Sequence, residues 1–222
     1  MLKCHERIGL GRCVVIAALA AGCAQPAEPT LTGTDPGIRW VEASWAQDSV
    51  RLRVFGTAGC AGLAQLGLSV IPRGAGTAYA EVILRPTARP YTGPGFVCVI
   101  QQLDTAVAVP IPQGIRAIRV WAPYPFEPGQ REFAEIADSE TTTGVGGEIH
   151  FDSLPGGCVV AAVFHHGNSG PRTFALLAAD TSQLTIPFAE HALAFVTGHL
   201  SPGSVNCGGL STLRAETLTL GL

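Results

Sequence analysis

The chain predicts an all-β fold, and three observations carry that expectation. Apolar and polar residues alternate in short runs: in Ser49-Val50-Arg51-Leu52-Arg53-Val54-Phe55, Val50, Leu52 and Val54 share one face and both arginines the other. The runs are rich in β-branched and aromatic residues, and Gly, Pro, Asn and Asp punctuate them at the intervals of β-sandwiches. Helical spacing is nearly absent: Phe133 and Ile136 lie three apart in a stretch that could make two turns, and residues 188–196 read equally as helix or strand.

Taken in order, the first group of strands falls at residues 38–45, 49–55, 66–71, 78–84, 96–103, 106–111 and 115–121. Trp40, Trp45 and Trp121 lie within it, where packing a core outweighs forming a sugar-stacking platform. The second group falls at 148–151, 158–164, 173–177, 184–187, 192–197 and 217–222, and in the last of these Leu218, Leu220 and Leu222 share one parity. Between the groups, residues 122–143 carry Pro123, Pro125 and Pro128, then an acidic stretch. Closely spaced prolines do not sit in a central strand, so this segment reads as a linker. The expected organisation is a signal segment over 1–22, a tethering linker over 23–37, one β-sandwich half over 38–121, the linker 122–143, and a second half over 144–222. A single continuous sandwich of about 185 residues is the alternative.

The 222 residues are 47% hydrophobic and 14% charged, enough to bury a core and too apolar for a disordered chain. A formal net charge of −3 excludes nucleic-acid binding driven by charge. Lys3 is the single lysine, which excludes phosphate-loop and Schiff-base lysine chemistry from the body.

The N-terminus carries Lys3, Arg7 and Arg12, then the apolar run Cys13-Val14-Val15-Ile16-Ala17-Ala18-Leu19-Ala20-Ala21, a secretory signal pattern too short to span a bilayer as a helix. Leu19-Ala20-Ala21-Gly22-Cys23 resembles the lipobox of bacterial lipoproteins. The resemblance implies lipidation of Cys23, membrane attachment through it, and, because residue 24 is Ala rather than Asp, an outer-membrane location. Cleavage by an ordinary signal peptidase at the same small residues is the alternative. Residues 24–37 hold three prolines and no hydrophobic period, and read as a leash. Beyond Cys23 four cysteines remain, Cys60, Cys98, Cys158 and Cys207, an even number that reads as two disulfides in an exported chain. Of the three connectivities, Cys60 with Cys98 and Cys158 with Cys207 is preferred, because each then closes a loop within one half.

The strand ending at Gly59-Cys60, a hairpin over 66–84, Cys98 opening a strand, and the Gly114-Ile115 step into a closing strand resemble immunoglobulin-like modules of bacterial envelope lipoproteins. Gly146-Gly147-Glu148-Ile149-His150-Phe151, then Leu154-Pro155-Gly156-Gly157-Cys158-Val159-Val160, resemble the strand, turn and strand of transthyretin-like or carboxypeptidase-regulatory modules. Both resemblances imply an immunoglobulin-like antiparallel β-sandwich and carry no activity with them.

No catalytic residue, metal site or cofactor is expected. His165-His166-Gly167-Asn168-Ser169-Gly170-Pro171 resembles the nucleophile loop of trypsin-like proteases but is one glycine short and lacks an upstream histidine at the right distance, so a hairpin turn is the preferred reading. His165, His166, Asn168 and Ser169 stand instead as a candidate ligand loop. The acidic run Glu127, Glu132, Glu135, Asp138 and Glu140 lacks the order of a calcium loop and reads as solvated. The expected function is that of a cell-envelope lipoprotein with a non-catalytic binding or scaffold body and an envelope protein or glycan as partner. A glycan- or metal-binding module is the alternative, and a hydrolase the third reading.

Overall fold

β-Strands dominate the structure, a computed structural model that describes residues 37–57, 64–73, 78–88, 102–125, 128–153, 159–163, 172–178, 193–202 and 207–220. The first half supplies β1 (Gly37–Ala46), β2 (Ser49–Thr57), β3 (Ala64–Pro72), β4 (Tyr79–Ala88), β5 (Gln102–Pro110), β6 (Ala117–Pro123) and β7 (Gln130–Ala137). The second supplies β8 (Thr143–Ser153), β9 (Val159–Val163), β10 (Arg172–Ala178), β11 (Leu193–Ser201) and β12 (Thr212–Leu220). The fold is all-β, and no helix among the described residues is long and apolar enough to cross a membrane.

β8 organises the assembly. Along one edge it pairs with β11 through residues 143–150. Along its other edge it pairs first with β1, Gly144 opposite Ala43 and Gly147 opposite Trp40, and then with β9 from Ile149 to Ser153. The order β8-β9-β10-β12-β11 therefore returns to β8 and closes a five-stranded, barrel-like ring, while β1, β2 and β5 leave it as an open arm. Alternation fills the ring: Val145, Ile149, Phe151, Ala161, Val163, Phe174, Ala194, Val196, Leu213 and Ala215 form its core, with Trp40 and Phe55 added from the arm. Trp40 stacks on Phe174 with ring centroids 5.8 Å apart, and its indole N–H donates to Glu42, which also pairs with Arg172 of β10.

A second sheet, ordered β3-β4-β6-β7, covers the arm. The core between them draws Ile38, Val41, Val50, Leu52, Val54 and Val109 from the arm and Val82, Leu84, Ile118, Val120, Phe133 and Ile136 from the sheet. Phe195 of β11 joins it from the ring. Both sheets are mixed, since β4–β6 and β10–β12 run parallel, which corrects the expectation of a purely antiparallel body.

The expected linker over 122–143 is also corrected. Its prolines end β6 and occupy the turn, and β7 follows directly and pairs antiparallel with β6. The three-residue spacing of Phe133 and Ile136 is not helical. A bulge opposite Val120 and Trp121 inserts one residue into β7, which buries Phe133 and Ala134 in succession before alternation resumes. The described strands of the two expected halves thus share pairing, β1 with β8, and a common core, and the described residues fall within one compact unit. β8 begins earlier than the expected strand at 148–151, because Gly144 and Gly146 are strand positions beneath a crossing backbone. The expected strands at 96–103 and 106–111 meet in β5, with 96–101 outside the described residues, as is 184–187.

A Cβ on Gly146 would stand 1.7 Å from the Phe133 carbonyl oxygen, and one on Gly144 would stand 2.5 Å from that of Glu135. The backbone of β7 lies directly on these two glycines. Gly146→Ala is expected to cost about 3 kcal/mol or more in denaturant unfolding. Gly208→Ala, at φ +66° with open space around it, should cost only about 1 kcal/mol.

Candidate functional site

Two polar constellations stand out, one buried and one open. The buried one continues the glycine face of β8. After Gly144 and Gly146, the next residue of that parity is Glu148, whose side chain is 4% exposed. The Tyr124 hydroxyl, from the connection after β6, donates to its Oε2 at 3.4 Å. Arg39 Nη1 of β1 stands 3.7 Å from Oε1, and His150 Nε2, two residues along β8, stands 3.9 Å from it. Arg131 lies over the Phe195 ring at 3.6 Å and over Tyr124 at 5.5 Å. Burial, with the Glu148 carboxylate beside it, pushes the Tyr124 phenol well above its ordinary value. The arrangement surrounds a buried carboxylate with partners where the two cores meet, and these contacts link the ring to the second sheet.

The open constellation is a cleft of about 420 Å³ at the end where β1 turns into β2. A two-residue turn, Gln47-Asp48, joins the pair Ala46 and Ser49, and Gln47 takes φ +52°, a left-handed conformation that a residue with a Cβ adopts at a cost. The Trp45 indole N–H donates to the Gln47 carbonyl at 3.0 Å, and the Ile111 amide donates to the Asp48 carbonyl at 3.0 Å. Opposite, Pro112-Gln113-Gly114-Ile115 forms a turn with Gly114 at φ +91°, closed by the Ile115 amide on the Pro112 carbonyl at 3.2 Å. The third wall comes from the end of β7: the Asp138 amide donates to the Arg116 carbonyl at 2.8 Å, and Arg116 Nη1 to Asp138 Oδ2 at 2.6 Å. Three chain segments are tied to one another by hydrogen bonds, so the cleft is preformed.

Comparison with protein families, with curated proteins and with solved structures finds no match.

Of the residues singled out by sequence, Cys23, Cys60, Cys98 and Cys158 lie outside the described residues, as does the candidate ligand loop with His165, His166, Asn168 and Ser169. Cys207 is disulfide-bonded and opens the turn before β12. Trp40 packs in the ring core as expected; Trp45 does not follow it, being only partly buried against the first core while lining the cleft. Of the acidic run, Glu127 lies outside the described residues; Glu135 receives Arg119 at 2.9 Å, Glu132 stands 3.8 Å from the same guanidinium, Asp138 receives Arg116, and Glu140 stands 3.6 Å from His199. Among the described residues no group of three or more His, Cys, Asp or Glu is arranged to hold a metal ion. Sequence reasoning missed the cleft because its walls are turns distant along the chain, brought together when β2 pairs with β5, Ser49 opposite Pro110.

Tyr124→Phe removes a hydroxyl donor from a buried carboxylate and is expected to cost about 1–3 kcal/mol at neutral pH. The folded chain holds the Tyr124 proton above the phenol's ordinary value near 10, so the wild type loses stability as pH rises through and beyond that value. The variant should lose less over the same range, measured as thermal midpoints from pH 8 upward.

Proposed function

We propose that the protein is a cell-envelope lipoprotein, tethered through Cys23 at the outer membrane, whose β body is a non-catalytic binding or scaffold module with the Trp45 cleft as its contact site. The observation that carries this reading is Leu19-Ala20-Ala21-Gly22-Cys23 behind a basic start and a short apolar run. The placement of the cleft supports it. The chain enters the body at Gly37, the first residue of β1, and the cleft lies just past the last, Ala46. At about 3.3 Å per residue, a strand of this length sets the two roughly 30 Å apart. The cleft and Gly37 thus lie at opposite ends of β1. The polar side chains of the cleft are amides, carboxylates and a guanidinium, groups able to hold and orient a bound partner.

The finer fold reading, an immunoglobulin-like sandwich across β1–β7, rests on the way the second sheet covers β1, β2 and β5. The cysteine reading belongs to the same oxidising compartment. The β2–β5 ladder ends with Thr57 opposite Gln102; Cys60 comes three residues after the one and Cys98 four before the other, which supports pairing them and leaves Cys158 for Cys207.

Wild-type protein should fractionate with membranes and be released by detergent, and Cys23→Ser should move it to the soluble fraction. A variant that stays with the membranes overturns the anchor. Peptide mapping without reduction should recover Cys60 linked to Cys98 and Cys158 linked to Cys207; a link from Cys207 to either of the first pair overturns the connectivity.

A further inference from the structure

The Trp45 cleft has a chemistry narrow enough to name what it takes. One part of the Trp45 side chain packs against the first core and another lines the cleft. Its N–H is already committed to the Gln47 carbonyl at 3.0 Å. What the indole can still offer a ligand is its aromatic surface, a flat apolar plate fixed in place by that bond. Around the plate stand two amides, Gln47 and Gln113, two carboxylates, Asp48 and Asp138, and one guanidinium, Arg116. Amides and carboxylates at short range serve ligands dense in hydroxyl groups, as each can accept or exchange several hydrogen bonds.

The charge balance narrows the class further. Arg116 is paired with Asp138, which leaves Asp48 as the uncompensated charge of the lining and sets the local field negative. Phosphorylated, sulfated or otherwise anionic ligands are disfavoured there. The volume lies in the range of small-ligand sites, but the cleft is open at the surface and polar, which disfavours a buried apolar molecule such as a lipid chain. A ligand with one flat C–H face and a rim of hydroxyls meets all of these conditions.

We propose that the cleft formed by the Gln47-Asp48 turn, the Gln113 turn and the end of β7 binds an uncharged glycan, one sugar ring stacked on Trp45 and its hydroxyls held by Asp48, Gln113 and Asp138. The assignment rests on the reading of the cleft as the body's contact site and gives that site a ligand class. It also reverses the expectation from sequence that all three tryptophans serve the core.

The test uses the full-length protein in detergent, titrated by calorimetry with cellotriose, maltotriose and tri-N-acetylchitotriose, and with a heparin tetrasaccharide as the anionic comparison. The expected result is saturable binding of at least one neutral trisaccharide with Kd about 1 mM or tighter, and none of the heparin fragment. Trp45→Ala should weaken it about tenfold or more. Because Trp45 also packs on the core, Asp48→Ala and Gln113→Ala, both at exposed positions, are measured beside it and should each weaken binding several-fold with an unchanged thermal midpoint. Absence of binding to all three neutral sugars overturns the assignment, as does preference for the heparin fragment, or binding that all three variants leave intact. Affinity isolation from solubilised envelopes separates this outcome from failure of the parent reading. If no sugar binds and an envelope protein is recovered with the wild type but lost with Asp48→Ala and Gln113→Ala, the glycan class fails and the contact site stands; if no sugar binds and recovery is the same for all, both fail.

Discussion

The approach of the β7 backbone to Gly144 and Gly146 of β8 is the constraint on which the rest of the body depends. At those two positions a carbonyl oxygen occupies the space a side chain would need, so two sheets come together at backbone distance. That closeness fixes where β6 and β7 lie over the arm, and therefore where Phe133 and Ile136 enter the first core. It also explains the residue that follows on the same face. Past Gly146 the crossing strand moves away, a side chain fits again, and the position is filled by Glu148 with Tyr124, Arg39 and His150 around it. A buried carboxylate in this position is costly on its own and becomes tolerable only with those partners in place, so the junction is specific as well as tight.

From this junction the cleft follows geometrically. β7 runs away from the crossing toward Asp138, the arm runs in register from Trp40 toward Trp45, and both end on the same side of the body. The hydrogen bonds among the Asp48, Ile111, Arg116 and Asp138 backbones then close the gap between strand ends that the two sheets have already brought near. Gln47 holds a left-handed conformation in the middle of this arrangement, although glycine would adopt it more readily; its carbonyl orients the indole next to it.

Local structure was legible in the sequence and non-local structure was not. The alternation of Val50, Leu52 and Val54 locates β2 and its buried face, and the hairpin over β3 and β4 is visible in the punctuation around it. What misled was any feature whose meaning depends on a neighbour far along the chain. Gly144 and Gly146 carry no side chain to show a buried face, and only the β7 backbone laid on them gives them a strand's role. Pro123, Pro125 and Pro128 look like a domain boundary until β7 is seen to return beside β6. The bulge in β7 imitates a helical spacing because one inserted residue changes a period of two locally. The candidate site was illegible for the same reason: Gln47, Gln113 and Asp138 are ordinary turn residues, and only the pairing of β2 with β5 and of β6 with β7 makes them neighbours.

The position of β1 has a mechanical consequence. It is an interior strand, paired with β2 along its whole length and with β8 across Trp40–Ala43, and it runs from Gly37 to the turn that borders the cleft. Tension applied at Gly37 and opposed at that turn runs along the strand axis. The ladder hydrogen bonds lie across this direction, so they are loaded together in shear instead of parting one after another. A pull between the two ends of this strand is thereby met along the line where the sheet resists extension best.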